Sequence, residues 1–440
     1  MTQRVTVVGG GLAGSECALQ LADRGVEVLL VEQRPVHASP AHHTDGMAEL
    51  VCSNSLKSTK SDSAAGVLKQ ELGAMGCRLL PIAEQCRVPA GGALAVDRVA
   101  FSEAVTKAVA CHPNITVEHR EVTSIPDGPC VIAAGPLCSD ALFEAVAGAV
   151  GGERMSFFDA AAPIVSADSL DRSVVFEQSR YGEEGSGDYL NCPMEKSEYE
   201  AFIDALLSAQ RVISREFEQA DLFCACQPVE EVARTGRDAI RFGALKPVGL
   251  TDPRTGRRPW AAVQLRAETA DRISYNLVGF QTNLTWPEQR RVFRMIPGLE
   301  DAEFLRYGVM HRNSFVDSPH ALDPTFAIPG TDCRLAGQIT GTEGYVEAIA
   351  SGLLAALNTY AALRKLPAVF LPKTGALGSL VAYATDPATK NYQPMHVNFG
   401  IVPPLENHIR NKGERRAALA ARAISDTCAY VDGRPDLFSR

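Results

Sequence analysis

The feature that most limits what this chain can fold into is at its start. Arg4-Val5-Thr6-Val7-Val8 runs directly into Gly9-Gly10-Gly11-Leu12-Ala13-Gly14. An amphipathic stretch follows, then a second apolar strand, Val26 to Val31, that ends on Glu32. Strand, glycine turn, helix, strand and acid, in that order, make a βαβ unit shaped for a dinucleotide. Gly9 permits the tight turn, Gly11 lets the backbone approach a pyrophosphate, and Gly14 lets the helix pack close on the strand. The helix N-terminus offers free N–H groups and the positive end of its dipole to phosphates. Glu32 stands where it can accept hydrogen bonds from the ribose hydroxyls of an adenosine. Gly10, Leu12 and Ala13 complete this cofactor-binding turn.

With 440 residues, 46% of them hydrophobic, the chain exceeds the roughly 300 residues that one core usually serves, which predicts two domains. No run of about 18 apolar residues occurs, and no basic stretch followed by a hydrophobic block opens the chain. The expectation is a cytoplasmic protein without a membrane partner. Twelve cysteines are scattered through it. Only Cys224 and Cys226 lie close, and a lone C-x-C pair is poor metal-ligand spacing, so no metal site is expected. In a reducing compartment most of the twelve are expected to be small buried hydrophobes. A net charge of −9 argues against indiscriminate nucleic-acid binding, and DNA is not an expected partner. Local basic clusters do occur: Arg254, Arg257 and Arg258; Arg290, Arg291 and Arg294; Arg410, Lys412, Arg415 and Arg416. Each reads equally well as a solvated face or as an RNA contact.

Farther along, residues Ser39 to Ser63 are polar and include His42, His43, Asp45 and Cys52, a composition suited to an ordered loop over a site. Helical patterns cover Ser63 to Gly73 and Phe101 to Ala110. Strand patterns cover Ile115 to His119, Cys130 to Pro136 with a Gly135-Pro136 turn, and Arg272 to Gln281. From about Val165 to Pro329 the texture changes to mixed strands and helices. Cys333 to Gly344 then repeats strand and glycine turn before a long apolar helix, Tyr345 to Ala362. This predicts a Rossmann-like α/β domain of the glutathione-reductase type with an inserted α+β domain. The expected divisions are 1–165, the first part of the nucleotide domain; 166–329, the insert for substrate or RNA; and 330–440, the second part with a basic C-terminal segment. A late strand, turn and helix returning to the first domain suits a flavin ring that must be held at both ends, so FAD is preferred to NAD. Gly135, Gly337, Gly341, Thr342 and Glu343 join the cofactor-binding candidates.

Five further blocks share a pattern: Leu50 to Ser55, Phe157 to Pro163, Tyr189 to Met194, Arg241 to Leu250 and Ala336 to Tyr345. Taken with the opening turn, they make the chain resemble the folate- and flavin-dependent tRNA uracil-5-methyltransferases, relatives of the longer GidA-type tRNA-modifying flavoproteins. The resemblance implies transfer of a one-carbon unit from 5,10-methylenetetrahydrofolate to C5 of a T-loop uridine in tRNA. Reduced FAD would supply electrons and NAD(P)H would recharge it.

That chemistry has a definite residue requirement. Uracil C5 is a feeble nucleophile, so a thiolate must add at C6 to raise electron density at C5, and a second group must remove the C5 proton. By resemblance, Cys226 is the thiol that adds to the base, and Cys52 lies near the flavin and assists proton removal. A free thiol has a pKa of about 8.5, so each needs an electropositive neighbourhood to ionise at neutral pH. Arg234, Arg237 and Lys246 are candidates for Cys226, and His42 and His43 for Cys52. The family usually has Phe-Glu-Gly-Cys at the thiol, whereas this chain has Phe223-Cys224-Ala225-Cys226, with Cys224 read as inert.

Trp286 and Tyr345 fit either the core or a wall against folate or flavin, and Glu343 either a capping acid or a folate contact. Arg410 to Arg416 is the preferred approach surface for RNA. The same motifs would serve a folate-dependent methyltransferase of a ribosomal RNA uridine, or an RNA-binding flavoprotein without catalysis. A flavin disulfide reductase is disfavoured, because Cys52 has no C-x-x-C companion.

Overall fold

The computed structural model describes residues 4–37, 39, 41–152, 155–180, 187–212, 227–389 and 392–438. Cys224 and Cys226 lie outside the described residues.

The opening apolar segments pair into a five-stranded, all-parallel sheet. Its order is Cys333–Leu335, Cys130–Ile132, Val5–Val8, Val28–Glu32, Ile115–His119. Val5, Val7, Leu30, Val131, Ile132 and Leu335 are fully buried, as expected where helices cover both faces of a parallel sheet. The strand from the late block sits at one edge, so the chain returns to its first sheet after some two hundred residues elsewhere.

The helix Leu12–Asp23 is buried along nearly its whole length and packs on the helix Tyr345–Arg364. Gly352 makes that approach possible: a Cβ there would collide with the Ala13 carbonyl oxygen. Tyr345–Arg364 has the length and mean hydropathy of a membrane span, yet 83% of its most apolar window is buried inside the fold. It is the central core helix.

The inserted unit is a six-stranded antiparallel sheet in the order Phe176–Glu177, Tyr189–Met194, Ala261–Ala267, Ser274–Leu277, Ile164–Ser166, Phe304–Arg306. The helices Lys196–Ser208 and Trp286–Phe293 contribute to its separate core through Tyr199, Phe202, Leu206, Val292 and Phe293. A two-stranded ribbon, Met155–Ala160 with Met310–Phe315, carries the chain out and back. The molecule is therefore a Rossmann-like α/β fold with an α+β insert.

Two local expectations change. Ser55–Ser58, inside the stretch read as loop, pairs antiparallel with Ala93–Val96. The strand read at Arg272 to Gln281 is only Ser274–Leu277, because Arg272 (φ 58°) and Gly279 (φ 78°) turn the backbone at either end.

Candidate active site

At the C-terminal edge of the parallel sheet lies an open cleft. Gly9, Gly11, Leu12, Ala13, Glu32, Arg34, Gly135 and Gly337 are among its walls. Gly9 has φ 99°, and a Cβ on it would come within 2.6 Å of the Ala133 carbonyl oxygen. A Cβ on Gly14 would strike the Gly9 carbonyl oxygen, whereas a Cβ on Gly11 would meet nothing within 4 Å. Gly9 and Gly14 thus serve the protein's own packing, while Gly11 keeps one side of the cleft clear. The first intrahelical bond runs from the Ser15 N–H to the Gly11 carbonyl, and no side chain caps the helix. The N–H groups of the first turn are left for an anion.

Glu32 is held from two sides. Its carboxylate accepts the Gly10 N–H (2.6 Å) and both the N–H and Nε of Arg34 (3.0 and 2.8 Å). Burial alone would raise its pKa, but Arg34 and the two N–H donors hold it below the ordinary glutamate value. Arg34 also pairs with Glu49 (3.2 Å), and Glu49 accepts the N–H groups of His43 and Thr44. One guanidinium therefore joins the tip of the second strand to the loop that follows.

A second cavity adjoins the cleft. It is lined by Cys52, Ser53, Ser55, Lys57, Asp159, Asn313, Glu343 and Gly344, and it shares Val51, Pro136, Leu137, Gln338 and Tyr345 with the cleft. Cys52 keeps some surface exposure through this cavity. Its Sγ nevertheless lies deep, donating to the Ala160 carbonyl at 3.6 Å, and burial followed by the charge of Asp159 raises its pKa well above the usual thiol value. In the resting protein Cys52 is a thiol. Glu343 is buried too; burial and then Asp159 push its carboxyl up to about 8, against the donation of Gln338 Nε2 to both its oxygens (2.9 and 2.8 Å). The N-terminus of Tyr345–Arg364, again without a side-chain cap, opens beside this cavity.

These cavities can be set beside known proteins. A family model described as "Glucose inhibited division protein A" matches residues 4–367. "Methylenetetrahydrofolate--tRNA-(uracil-5-)-methyltransferase TrmFO" of Geobacter sulfurreducens is 54% identical over 97% of this chain and 98% of its own length. The protein of the same name from Moorella thermoacetica is 52% identical over 96% of this chain and 97% of its own. The chain belongs to the TrmFO family. Among solved structures, Aquifex aeolicus GidA in its form II crystal aligns with a TM-score of 0.70 over 99% of this chain and 73% of that one. At 15% identity, that likeness is one of fold.

In this TrmFO-family chain the residues singled out from sequence fall into three groups. Gly9, Gly11, Leu12, Ala13, Glu32, Gly135 and Gly337 line the first cleft, and Cys52 and Glu343 line the second cavity. Gly10, Gly14, Gly341 and Thr342 stand behind these walls. Gly341 takes φ 75° against the Tyr392 ring, and Thr342 Oγ1 donates to the Gly337 carbonyl at 3.1 Å. Cys226 lies outside the described residues. Tyr345 lines both cavities, whereas Trp286 lines neither and is 57% exposed.

The histidines do not supply the positive neighbourhood expected for Cys52. Burial, then the charge of Arg34, drops His42 to about 4, and burial with Arg306 lowers His43, so both are neutral at pH 7. The cations that act on Cys52 are Arg98 and Arg306, opposed by Asp159 and Glu343. Arg234 and Arg237 are engaged with Glu231 and Asp204. The reading from sequence passed over Asp159, Asn313 and Lys57. Asp159 lies within the block Phe157 to Pro163, but nothing in its local pattern marks it as a cavity acid; only the pairing of the ribbon brings it to Cys52.

Proposed function

We propose that this chain forms 5-methyluridine in the T-loop of tRNA, taking the carbon from 5,10-methylenetetrahydrofolate, with FAD in the dinucleotide cleft and NAD(P)H as the source of electrons. The observation that carries this reading is the shared wall of the two cavities. A redox cofactor in the first would lie against the thiol, the acids and the phenol of the second. Bound FAD, once reduced by NAD(P)H, would supply the two electrons that convert a transferred methylene unit to methyl.

The cleft fits that cofactor chemically. Gly11, Leu12 and Ala13 with the uncapped helix end would take the pyrophosphate, and Gly9, Gly10 and Gly14 set that turn. Glu32 would face the ribose. Gly135, Gly337, Gly341, Thr342 and Glu343 would form the far side, next to the positive end of the late helix.

Cys226 is the thiol assigned to C6 of the uracil, and Cys52 assists removal of the C5 proton. The flanks of the segment 213–226 support pairing the two. The Val212 N–H donates to the Asn283 carbonyl (2.8 Å) and the Val229 N–H to the Gln281 carbonyl (2.7 Å), so the described residues on either side are anchored at one short stretch. Thr282 between them packs near Gly308, where an added Cβ would come within 2.6 Å of both Thr282 Cγ2 and the Ala161 carbonyl oxygen, one residue from the acceptor of the Cys52 thiol. Because Cys52 holds its proton at rest, it must lose that proton before accepting another. Asp159 is the acid whose charge acts most strongly on it.

For RNA approach, Arg410, Lys412, Arg415 and Arg416 are all exposed around the Asn411-capped start of the last helix, Lys412–Asp432. Cations in a first helical turn oppose the dipole, a cost that an arriving phosphate would offset.

The test is direct. The purified protein should be yellow, and it should methylate a T-arm transcript given methylenetetrahydrofolate and NADPH, with 5-methyluridine read by mass spectrometry. Cys226→Ala should abolish methylation and keep the flavin colour. Full activity in that variant refutes the role of Cys226, and a wild-type protein that methylates no tRNA refutes the reaction.

A further inference from the structure

Trp286 begins the helix Trp286–Phe293 with 57% of its surface exposed. Its ring stacks on Tyr307 (centroids 5.4 Å, planes 14° apart), and Tyr307 stacks on Phe304 (5.3 Å, 13°). Three nearly parallel rings form a ladder, with Tyr307 stacked on one side of the indole and more than half of the Trp286 surface open to solvent. Tyr307 Oη accepts from Arg290 Nε (3.1 Å) and Nη2 (2.8 Å), which fixes the middle ring and holds a guanidinium at the ladder's edge. Among the described residues no carboxylate pairs with Arg290.

None of the three rings lines the dinucleotide cleft or the Cys52 cavity. The ladder flanks them instead. The Thr285 N–H donates to the Gln210 carbonyl at 3.1 Å, beside the flank of the segment that carries Cys226. On the other side Arg306, next to Tyr307, donates to the Val51 carbonyl at 2.7 Å, one residue from Cys52.

We propose that the open face of Trp286 stacks a nucleobase of the RNA substrate, with Arg290 beside it for the phosphate backbone. This deepens the function proposed above and rests on it. The chemistry selects the partner. A rigid parallel ladder ending in a bare indole continues naturally into another flat π surface, and a base offers one whatever its sequence. A guanidinium at its edge with no carboxylate partner among the described residues complements a phosphate. Extruding a uridine from a folded loop leaves a neighbouring base without its partner, and RNA loops are read through such splayed bases. Stacking on Trp286 would recover part of that loss.

The experiment uses flavin-loaded protein and an unmodified T-arm stem–loop transcript. Trp286→Ala should weaken binding by about five- to hundred-fold and Trp286→Phe by less, with flavin content, NADPH-driven flavin reduction and Tm unchanged. Trp260 and Trp286 are the two tryptophans of the chain. In a Trp260→Phe background, RNA should therefore quench the remaining indole emission. Should wild-type protein methylate the transcript while Trp286→Ala keeps the wild-type Kd, the platform is overturned and the function stands. An emission unmoved by bound RNA overturns it as well. Should wild-type protein neither bind nor methylate tRNA, the function fails and the platform fails with it.

Discussion

The backbone N–H of Cys52 donates to the phenol oxygen of Tyr345 at 2.8 Å, and the N–H of Ser53 reaches the same oxygen at 3.2 Å. A residue in the first turn of the core helix thus fixes the loop that carries the thiol. Tyr345→Phe strips both partly buried donors of their acceptor, a loss that costs at most about 1–3 kcal/mol for a donor left unpaired. The loop should loosen: methylation should fall by about tenfold or more, since misplacement of a reacting group by about 1 Å is enough for that, while flavin absorbance persists. Limited proteolysis around Cys52 and single-turnover methylation check this. Wild-type rates in the variant would show that the loop is ordered without the phenol.

Burial, and then the charge of Asp159, keep Cys52 protonated. Iodoacetamide, which reacts with the thiolate, should therefore label Cys52 slowly at pH 8 compared with the exposed Cys111 of the same chain. Asp159→Asn removes a negative charge, which lowers the thiol pKa and raises the thiolate fraction. Labelling of the Cys52 peptide, followed by mass spectrometry, should then accelerate. An equal or slower rate would mean that burial alone sets the proton affinity of this thiol.

How much of this was legible in the sequence follows from how local each feature is. The turn Gly9 to Gly14, Glu32 and the late block Cys333 to Gly344 could be read because each rests on a short contiguous pattern whose spacing fixes its geometry. The helical pattern read over Ser63 to Gly73 is local in the same way, and it is found as Ala64–Ala74 with Ser63 as its cap. Asp159 and Asn313 were not readable, since they reach Cys52 only through the ribbon that joins the two domains. The histidines misled for another reason: closeness in sequence to Cys52 says nothing about charge, and burial beside Arg34 and Arg306 leaves both neutral. Gly10, Gly14, Gly341 and Thr342 belong to the right turns but stand behind the walls, a distinction that needs the backbone path.

Glu343 provides a pH signature. Its carboxyl is pushed up to about 8, first by burial and then by Asp159, against about 4.3 in an unfolded chain. The folded state favours the protonated form, so this group's contribution to stability is complete below the unfolded value and is lost as pH rises toward 8. Glu343→Gln keeps the shape and one acceptor oxygen for Gln338 but cannot ionise. The Tm of the variant relative to wild type should therefore climb between pH 5 and pH 8, as followed by thermal melts across that range. A constant difference would place the Glu343 pKa near its ordinary value.

The glycines of the first turn separate packing from ligand binding. At Gly14 a Cβ collides with the Gly9 carbonyl oxygen, and backbone cannot move aside as a flexible side chain can. Gly14→Ala should therefore destabilise the empty protein by about 1–3 kcal/mol or more, with a lowered Tm and little soluble product. At Gly11 the added methyl meets nothing within 4 Å, and the φ of −71° suits any residue. Gly11→Ala should fold with a Tm near that of wild type when both are stripped of flavin. It should nevertheless retain much less FAD per polypeptide, because the methyl projects into the space kept clear beside the helix N-terminus. Absorbance near the oxidised-flavin bands, taken with melts of the stripped proteins, measures the two effects independently. A Gly11→Ala protein that holds flavin as wild type does would remove the pyrophosphate from that side of the cleft.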